Sequence, residues 1–379
     1  MIKVYDDIPS PCYVLEEKLL KNNLEILDRV QKESGAKILL ALKGYAMWST
    51  FPLVSQYLRG ITASGLVEAK LGFEEFNGEI HTYSPAFKDE EIDEIISISD
   101  HIIFNSFNQW GHFRDKILSS DKKVSCGIRV NPEYSEVSPD IYNPCVIGSR
   151  LGVIKKHFRA DMLDGIDGLH FHTHCEQNSD ALERTLPYFE ERFGEFIPRM
   201  KWINFGGGHH ITRADYDVDR LIRIIKDFKA RYNDIPVYLE PGEAIGWRSG
   251  FLIGRVLDIV NNGFDIAILD VSAAAHMPDC LEMPYRPMVR GSSEADVEKY
   301  NYRFAGNTCL AGDVIGDYSF KEPLKIGDRV IFEDMIHYTM VKNNTFNGVK
   351  LPSIGIIKED GEFRLVKSFG YEDYKMRLS

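Results

Sequence analysis

The chain lacks the marks of several protein classes. Its six cysteines (Cys12, Cys126, Cys145, Cys175, Cys280 and Cys309) are widely dispersed and include no CxxC pair. This fits free thiols in a reducing compartment better than a disulfide framework. No apolar run approaches the length needed to span a bilayer, and the first residues, Met1-Ile-Lys-Val-Tyr-Asp-Asp, carry no apolar signal core. The expectation is a soluble, cytoplasmic protein. Positive charge is also short: 45 Lys and Arg stand against 57 Asp and Glu, a net charge of −12. That balance argues against a nucleic-acid partner and mildly favours cationic ligands. Internal repeats, low-complexity tracts and Pro/Gly/Ser linkers are missing too, so packed domains are expected rather than tethered ones.

What remains is ordinary globular material, 44% apolar and 27% charged over 379 residues, enough for two sizeable domains. Residues 16–34 have the apolar spacing of an amphipathic helix. Short apolar, strand-like runs follow at 37–42, 61–63, 80–84, 101–104, 123–130, 166–173, 202–205 and 236–239, separated by stretches of helical period such as 65–76, 88–97 and 217–232. Strand–helix alternation implies parallel pairing through right-handed crossovers, and eight units suffice for a (β/α)8 barrel. An open, doubly wound sheet has the same alternation. After Gly242 the texture turns β-rich, at 251–260, 264–271, 302–305, 329–332 and 336–341, with turn signals at Asn261-Asn262-Gly263, Gly327-Asp328 and Asn347-Gly348. The α/β reading is therefore a barrel over 14–248 and a mostly β domain formed by 1–13 and 249–379.

Reactive residues stand at the ends of several runs. The first ends in Lys43. A lysine leaving an apolar parallel strand emerges at the barrel's carboxyl end, where desolvation lowers its pKa and frees an amine for Schiff-base chemistry. On its own it reads more readily as a solvated surface lysine that happens to follow a strand. The seventh run opens into Gly206-Gly207-Gly208, whose N–H groups could approach a phosphate, with a helix to follow. The loops after strands seven and eight are where barrels commonly bind phosphate. The eighth ends in Glu240-Pro241-Gly242-Glu243, and a carboxylate there could hold a proton on a pyridine nitrogen. Together these are the parts of a pyridoxal-phosphate site. His170, His172 and His174 alternate along the sixth run and so share a face; with His209-His210 they allow a metal reading, though without clear carboxylate ligands at neighbouring strand ends. The alternative is that His172 lies flat against an aromatic cofactor. Cys309 to Asp313, His337-Tyr338 and Phe346 to Gly348 are unremarkable alone.

The constellation resembles the fold-type III pyridoxal-phosphate decarboxylases, the group of ornithine and diaminopimelate decarboxylases. The matching segments, in order, are Ala41-Leu-Lys43, Ala63-Ser64 with Glu68, Arg129-Val-Asn-Pro132, Arg150-Leu-Gly152, His170-Phe-His172, Gly206 to Gly208, Glu240-Pro-Gly242, Cys309 to Asp313, and Tyr338 to Gly348. The resemblance implies a cofactor barrel of the alanine racemase type with a β domain, and a head-to-tail homodimer with shared active sites. It further implies that Lys43 holds pyridoxal 5'-phosphate, His172 stacks on its ring, Glu240 pairs with the ring nitrogen, Gly206, Gly207 and Gly208 bind the phosphate, and Tyr338 reaches the same region. Cys309 would come from the partner subunit as proton donor, and Arg150 and Asp313 would form an intersubunit salt bridge.

The departures bear on substrate. The family's EPGR reads EPGE here, placing Glu243 where an arginine is usual; Leu310 replaces an acidic residue, and Cys175 replaces a serine. With His172 to Asn178 and Ala275 to Pro287, these look most like the branch acting on carboxynorspermidine and carboxyspermidine. On that likeness Glu243 and Asp279 would receive the cationic polyamine tail, since opposite charge attracts it and excludes carboxylated tails. For Asp279 the plain alternative is a solvated loop residue. Decarboxylation of diaminopimelate or ornithine, and a metal-dependent hydrolase built on His170, His172 and His174, are the competing expectations.

Overall fold

The computed structural model describes residue 5, residues 7–138 and residues 140–379. Part of the stretch 1–13 assigned above to the β domain, namely 1–4 and 6, lies outside the described residues. The chain divides into two units. One is Asn23–Ile245; the other joins the chain up to Asn22 with Gly246–Ser379. Strand β1 (Cys12–Glu16) belongs to the latter.

Strands β2 (Lys37–Ala41), β3 (Gly60–Ala63), β4 (Glu79–Ser84), β5 (His101–Phe104), β6 (Ser125–Arg129), β7 (Ile166–His170), β8 (Trp202–Asn204) and β9 (Val237–Leu239) form a closed parallel barrel in sequence order. Closure is the pairing of β2 with β9, Lys37 against Tyr238 and Ile38 against Leu239. This excludes the open sheet that alternation alone left possible. The strands read as apolar runs because both faces are covered, outward by helices such as Val218–Arg231 and inward by one another. The interior is filled rather than hollow. Leu39, Ile103, Trp202 and Tyr238 cluster inside it with Tyr83 against them. Trp202 fits only because two neighbours have no side chain: a Cβ at Gly168 would lie 2.2 Å from its ring, and one at Gly127 2.4 Å.

The strand-start end is sealed by a polar network that the sequence did not announce. Glu79 accepts from Lys37 Nζ at 2.6 Å and from Tyr238 Oη at 3.0 Å, and meets His81 Nε2 at 3.1 Å. His81 and His101 stack with ring centroids 3.9 Å apart. Burial alone would raise the Glu79 pKa, but the His81 and Lys37 hydrogen bonds hold it down to about 2.

The other unit carries β10 (Gly250–Asn261), β11 (Asp265–Leu269), β12 (Ser293–Glu294), β13 (Tyr300–Ala305), β14 (Val314–Phe320), β15 (Arg329–Glu333), β16 (Ser353–Ile357) and β17 (Phe363–Lys367). With β1 they make a nine-stranded sheet ordered β12-β14-β13-β11-β10-β1-β16-β17, with β15 also on β10. The long β10 shifts register between Val256 and Asp258. Its first half pairs with β1 and β15, its second with β11. Strand β1 is antiparallel to β10 and parallel to β16. The expectation of a β-run at 336–341 is corrected: Tyr338–Lys342 is a short helix. A six-residue stretch has no period long enough to separate the two states.

Candidate active site

Because all barrel strands are parallel, their carboxyl ends share one mouth, and the loops that leave them bring together residues remote in sequence. Lys43 follows β2 in a turn closed by the Gly44 N–H donating to Ala41 O at 2.9 Å. The turn lies against the β9 loop so closely that a Cβ on Gly44 would sit 2.8 Å from Gly242 Cα. Water reaches Lys43, so it is not sealed in hydrocarbon. The protein around it nevertheless desolvates the side chain in part. Its pKa is lowered, first by desolvation and then by the Arg129 guanidinium, with Glu240 and Glu68 opposing. The result is an amine shifted towards its neutral, nucleophilic form.

Glu240 is buried at the end of β9. Its Oε1 accepts from Asn204 Nδ2 at 2.7 Å, and its Oε2 lies 3.5 Å from His170 Nε2. His170 is buried and held near pKa 4, chiefly by desolvation. Strand β7 stops at His170, so the three histidines do not alternate along one strand as expected. His172 lies beyond it, and its Nδ1 accepts the Gly207 N–H at 3.0 Å. That bond places the remaining ring proton on Nε2. Burial, Lys43 and Arg129 push the His172 pKa well below the ordinary value, so the ring is neutral. His174 turns away to Gln177, 2.9 Å from its Nδ1, and to His209, 4.9 Å between ring centroids. The three-histidine metal set is therefore not assembled. The donors within 4.8 Å of one another are His170, His172 and Glu240, so a strand-end carboxylate is present after all. Two further such groups are Glu176, His210 and Glu243, and Glu79, His81 and His101 at the strand starts.

The glycine loop is built for close approach. Gly206 and Gly208 have φ of +71° and +80°, and a Cβ at Gly208 would lie 2.0 Å from His174 O. At Gly207 it would lie 2.4 Å from Glu240 O. Two of the three N–H groups are already engaged, and one expectation is corrected. The Gly206 N–H already donates to Asn204 Oδ1 at 2.8 Å and the Gly207 N–H to His172, so of the three only the Gly208 N–H has no acceptor among the described residues. Nor does a helix follow directly; the next one starts at Val218.

Other expected residues lie in the β-rich unit. Asp279 is not a solvated loop residue. It is buried at the start of a short helix, with Oδ2 accepting from Tyr285 Oη at 2.8 Å and Thr339 Oγ1 at 2.9 Å, while Oδ1 is buried without a partner among the described residues. Cys309 is exposed, its N–H bonded to Asn347 Oδ1 at 2.8 Å. Asp313 is buried and accepts from Ser272 Oγ at 3.0 Å and Thr308 Oγ1 at 2.6 Å. Tyr338 begins its short helix, half-buried. In the barrel unit, Arg150 is exposed and Glu243 is half-buried, 3.8 Å from His210 Nε2.

Sequence reasoning passed over Asn204 and assigned no part to Arg129, which is buried, stacks over the Tyr83 ring at 4.8 Å and donates to His172 O at 3.3 Å. Their only signal was position: each ends a barrel strand. The amine, the neutral imidazole, the buried carboxylate and the glycine loop fit a phosphorylated aromatic aldehyde, one functional group each.

Comparison with known proteins agrees with that donor set. The model of the family described as "Pyridoxal-dependent decarboxylase, C-terminal sheet domain" matches residues 4–336. Carboxynorspermidine/carboxyspermidine decarboxylase of Campylobacter jejuni subsp. jejuni is 48% identical over 384 residues, covering 98% of this chain and 99% of the relative. Carboxyaminopropylagmatine decarboxylase of Synechocystis sp. is likewise 48% identical, over 372 residues, 98% of this chain and 96% of the relative. The crystal structure of carboxynorspermidine decarboxylase complexed with norspermidine from Campylobacter jejuni superposes with a TM-score of 0.91 at 48% identity, over 98% of this chain and all of that one.

Proposed function

We propose, since this chain belongs to the pyridoxal-dependent decarboxylase family, that it removes the α-carboxylate of carboxynorspermidine and carboxyspermidine, giving norspermidine or spermidine and carbon dioxide. The observation that carries the reading is the convergence of a depressed lysine amine, a neutral imidazole and a buried carboxylate at one barrel mouth.

When bound, pyridoxal 5'-phosphate supplies an aldehyde for the substrate amine and a ring that accepts the electron pair left by departing carbon dioxide. The protein's residues do the rest. Lys43 would hold the aldehyde and yield it to the substrate, its lowered pKa keeping an unprotonated amine available. His172 would offer a flat, uncharged face, its tautomer fixed by Gly207. The Glu240 carboxylate, held by Asn204, would keep a proton on the ring nitrogen. Gly208 retains an N–H for the phosphate, and Tyr338 is proposed to reach the same group. The reaction consumes one proton at the carbon that lost its carboxylate, and Cys309 Sγ is its proposed source. A homodimer in which Cys309 crosses to the partner's site, with Arg150 and Asp313 pairing between subunits, completes the reading. The exposure of Cys309 and Arg150 supports it. Six free thiols support a reducing, cytoplasmic setting.

Glu243 and Asp279 are the carboxylates proposed for the cationic tail. A guanidinium tail, as in carboxyaminopropylagmatine, is the second reading. Asp279 favours an amine: two hydroxyls already occupy Oδ2, leaving one oxygen, whereas a guanidinium fork matches two.

Borohydride reduction of the loaded enzyme followed by peptide mass analysis should find the cofactor adduct on the Lys43 peptide. Lys43→Ala should abolish both the adduct and carbon dioxide release; full turnover by that variant overturns the proposal. Assaying carboxynorspermidine, carboxyspermidine, carboxyaminopropylagmatine, ornithine and diaminopimelate side by side fixes the tail.

A further inference from the structure

Asn204 ends β8 with no exposed surface, and its one amide ties together two groups that the proposed chemistry needs at a fixed spacing. Nδ2 donates to Glu240 Oε1 at 2.7 Å, and Oδ1 accepts the Gly206 N–H at 2.8 Å. The partners determine the orientation of the amide: exchanging its ends would set an oxygen against a carboxylate and an NH2 against an N–H. The main chain repeats the tie, the Glu240 N–H donating to Gly206 O at 2.8 Å. Of the two imidazoles near the carboxylate, His170 Nε2 lies 3.5 Å away and His172 offers a ring nitrogen within 4.8 Å.

We propose that Asn204 is a positioning residue. It fixes the Glu240 carboxylate at the end of β9 and locks it to Gly206, so that the group assigned to the ring nitrogen and the loop assigned to the phosphate move as one. The inference rests on the reading of Glu240 given above. Only an amide serves both partners at this position. A carboxylate at 204 would face Glu240 across a hydrogen-bond distance, setting two like-charged groups together where an N–H donor now stands. An aliphatic side chain would leave Glu240 and the Gly206 N–H buried without these bonds.

The test uses Asn204→Asp, Asn204→Ala, Glu240→Gln and the exchanged pair Asn204→Asp with Glu240→Gln. Apoproteins are titrated with pyridoxal 5'-phosphate for the dissociation constant, and the absorption of the bound cofactor is followed against pH; kcat, KM and apoprotein melting are measured alongside. Asn204→Asp is expected to weaken cofactor binding ~10-fold or more, to move the absorption titration and to lower kcat with little change in KM. The exchanged pair, which rebuilds the amide–carboxylate contact in reverse, should recover affinity to within a few-fold but not kcat. Wild-type affinity and an unmoved titration in both Asn204 variants, with Glu240→Gln impaired, overturn the role of Asn204 alone. Wild-type kcat and absorption in Glu240→Gln overturn the reading of Glu240, and this inference with it.

Discussion

Cys309 differs from the other thiols in its exposure. Cys126 and Cys280 are buried, and desolvation pushes each up to about 12. Such groups are poor proton donors to anything outside the core. An exposed thiol, its main chain pinned by Asn347, can meet a substrate carbon without unfolding its loop. Cys309→Ala is therefore expected to lower polyamine formation ~10²- to 10⁴-fold, the usual worth of a positioned acid, while cofactor loading stays as in the wild type. Comparing product yield with the absorbance of bound cofactor checks it; unaltered yield would remove Cys309 from the scheme. Lys43 and Glu240 could be picked out from sequence because each closes an apolar run. Asn204 could not, since an asparagine at a strand end has many uses and its partners lie on the next strand and in the next loop.

At the scale of elements, the glycine loop and the end of β9 behave as one piece. Gly207→Ala drives a Cβ into Glu240 O, and Gly208→Ala combines a left-handed φ with a clash against the His174 carbonyl. Backbone strain of this kind costs on the order of 1–3 kcal/mol. Both variants should bind pyridoxal phosphate at least ~10-fold more weakly, and Gly208→Ala should also melt lower. Gly370→Ala, with open space around its Cβ, should change neither quantity. Titration with cofactor and thermal melts of the three proteins decide this. The barrel strands were legible because strands covered on both faces are apolar throughout. Strand β14 was not, for Gly316 and Asp317 interrupt its apolar pattern. The strand end at His170 escaped notice because the His-x-His spacing continues the alternation after pairing has stopped.

For the whole molecule, buried imidazoles tie stability to pH. Desolvation lowers the pKa of His170, His174 and His276 to about 4 and that of His209 to about 3. The unfolded chain binds protons near pH 6.5, where the native fold does not. Their contribution is therefore complete above pH 6.5 and is lost as pH falls towards 4, by about 1.4 kcal/mol per pH unit for each such histidine. The urea midpoint of the apoprotein should drop steadily from pH 7 to pH 5; a constant midpoint would refute the assignment. Helix-period stretches between apolar runs announced eight strand–helix units, but closure could not be read from them, because open and closed sheets share that alternation. The Lys37–Glu79–Tyr238 network was equally hidden, since its members stand on three strands that meet only once the ring is shut. Trp202 carries a consequence of a historical kind. Its indole occupies room left by Gly127 and Gly168, so a mutation that enlarges either glycine is viable only in a lineage where position 202 has already shrunk. The three sites form an epistatic set with a permitted order of change, and Gly168→Ala, ruinous by itself, should be tolerated after Trp202→Leu.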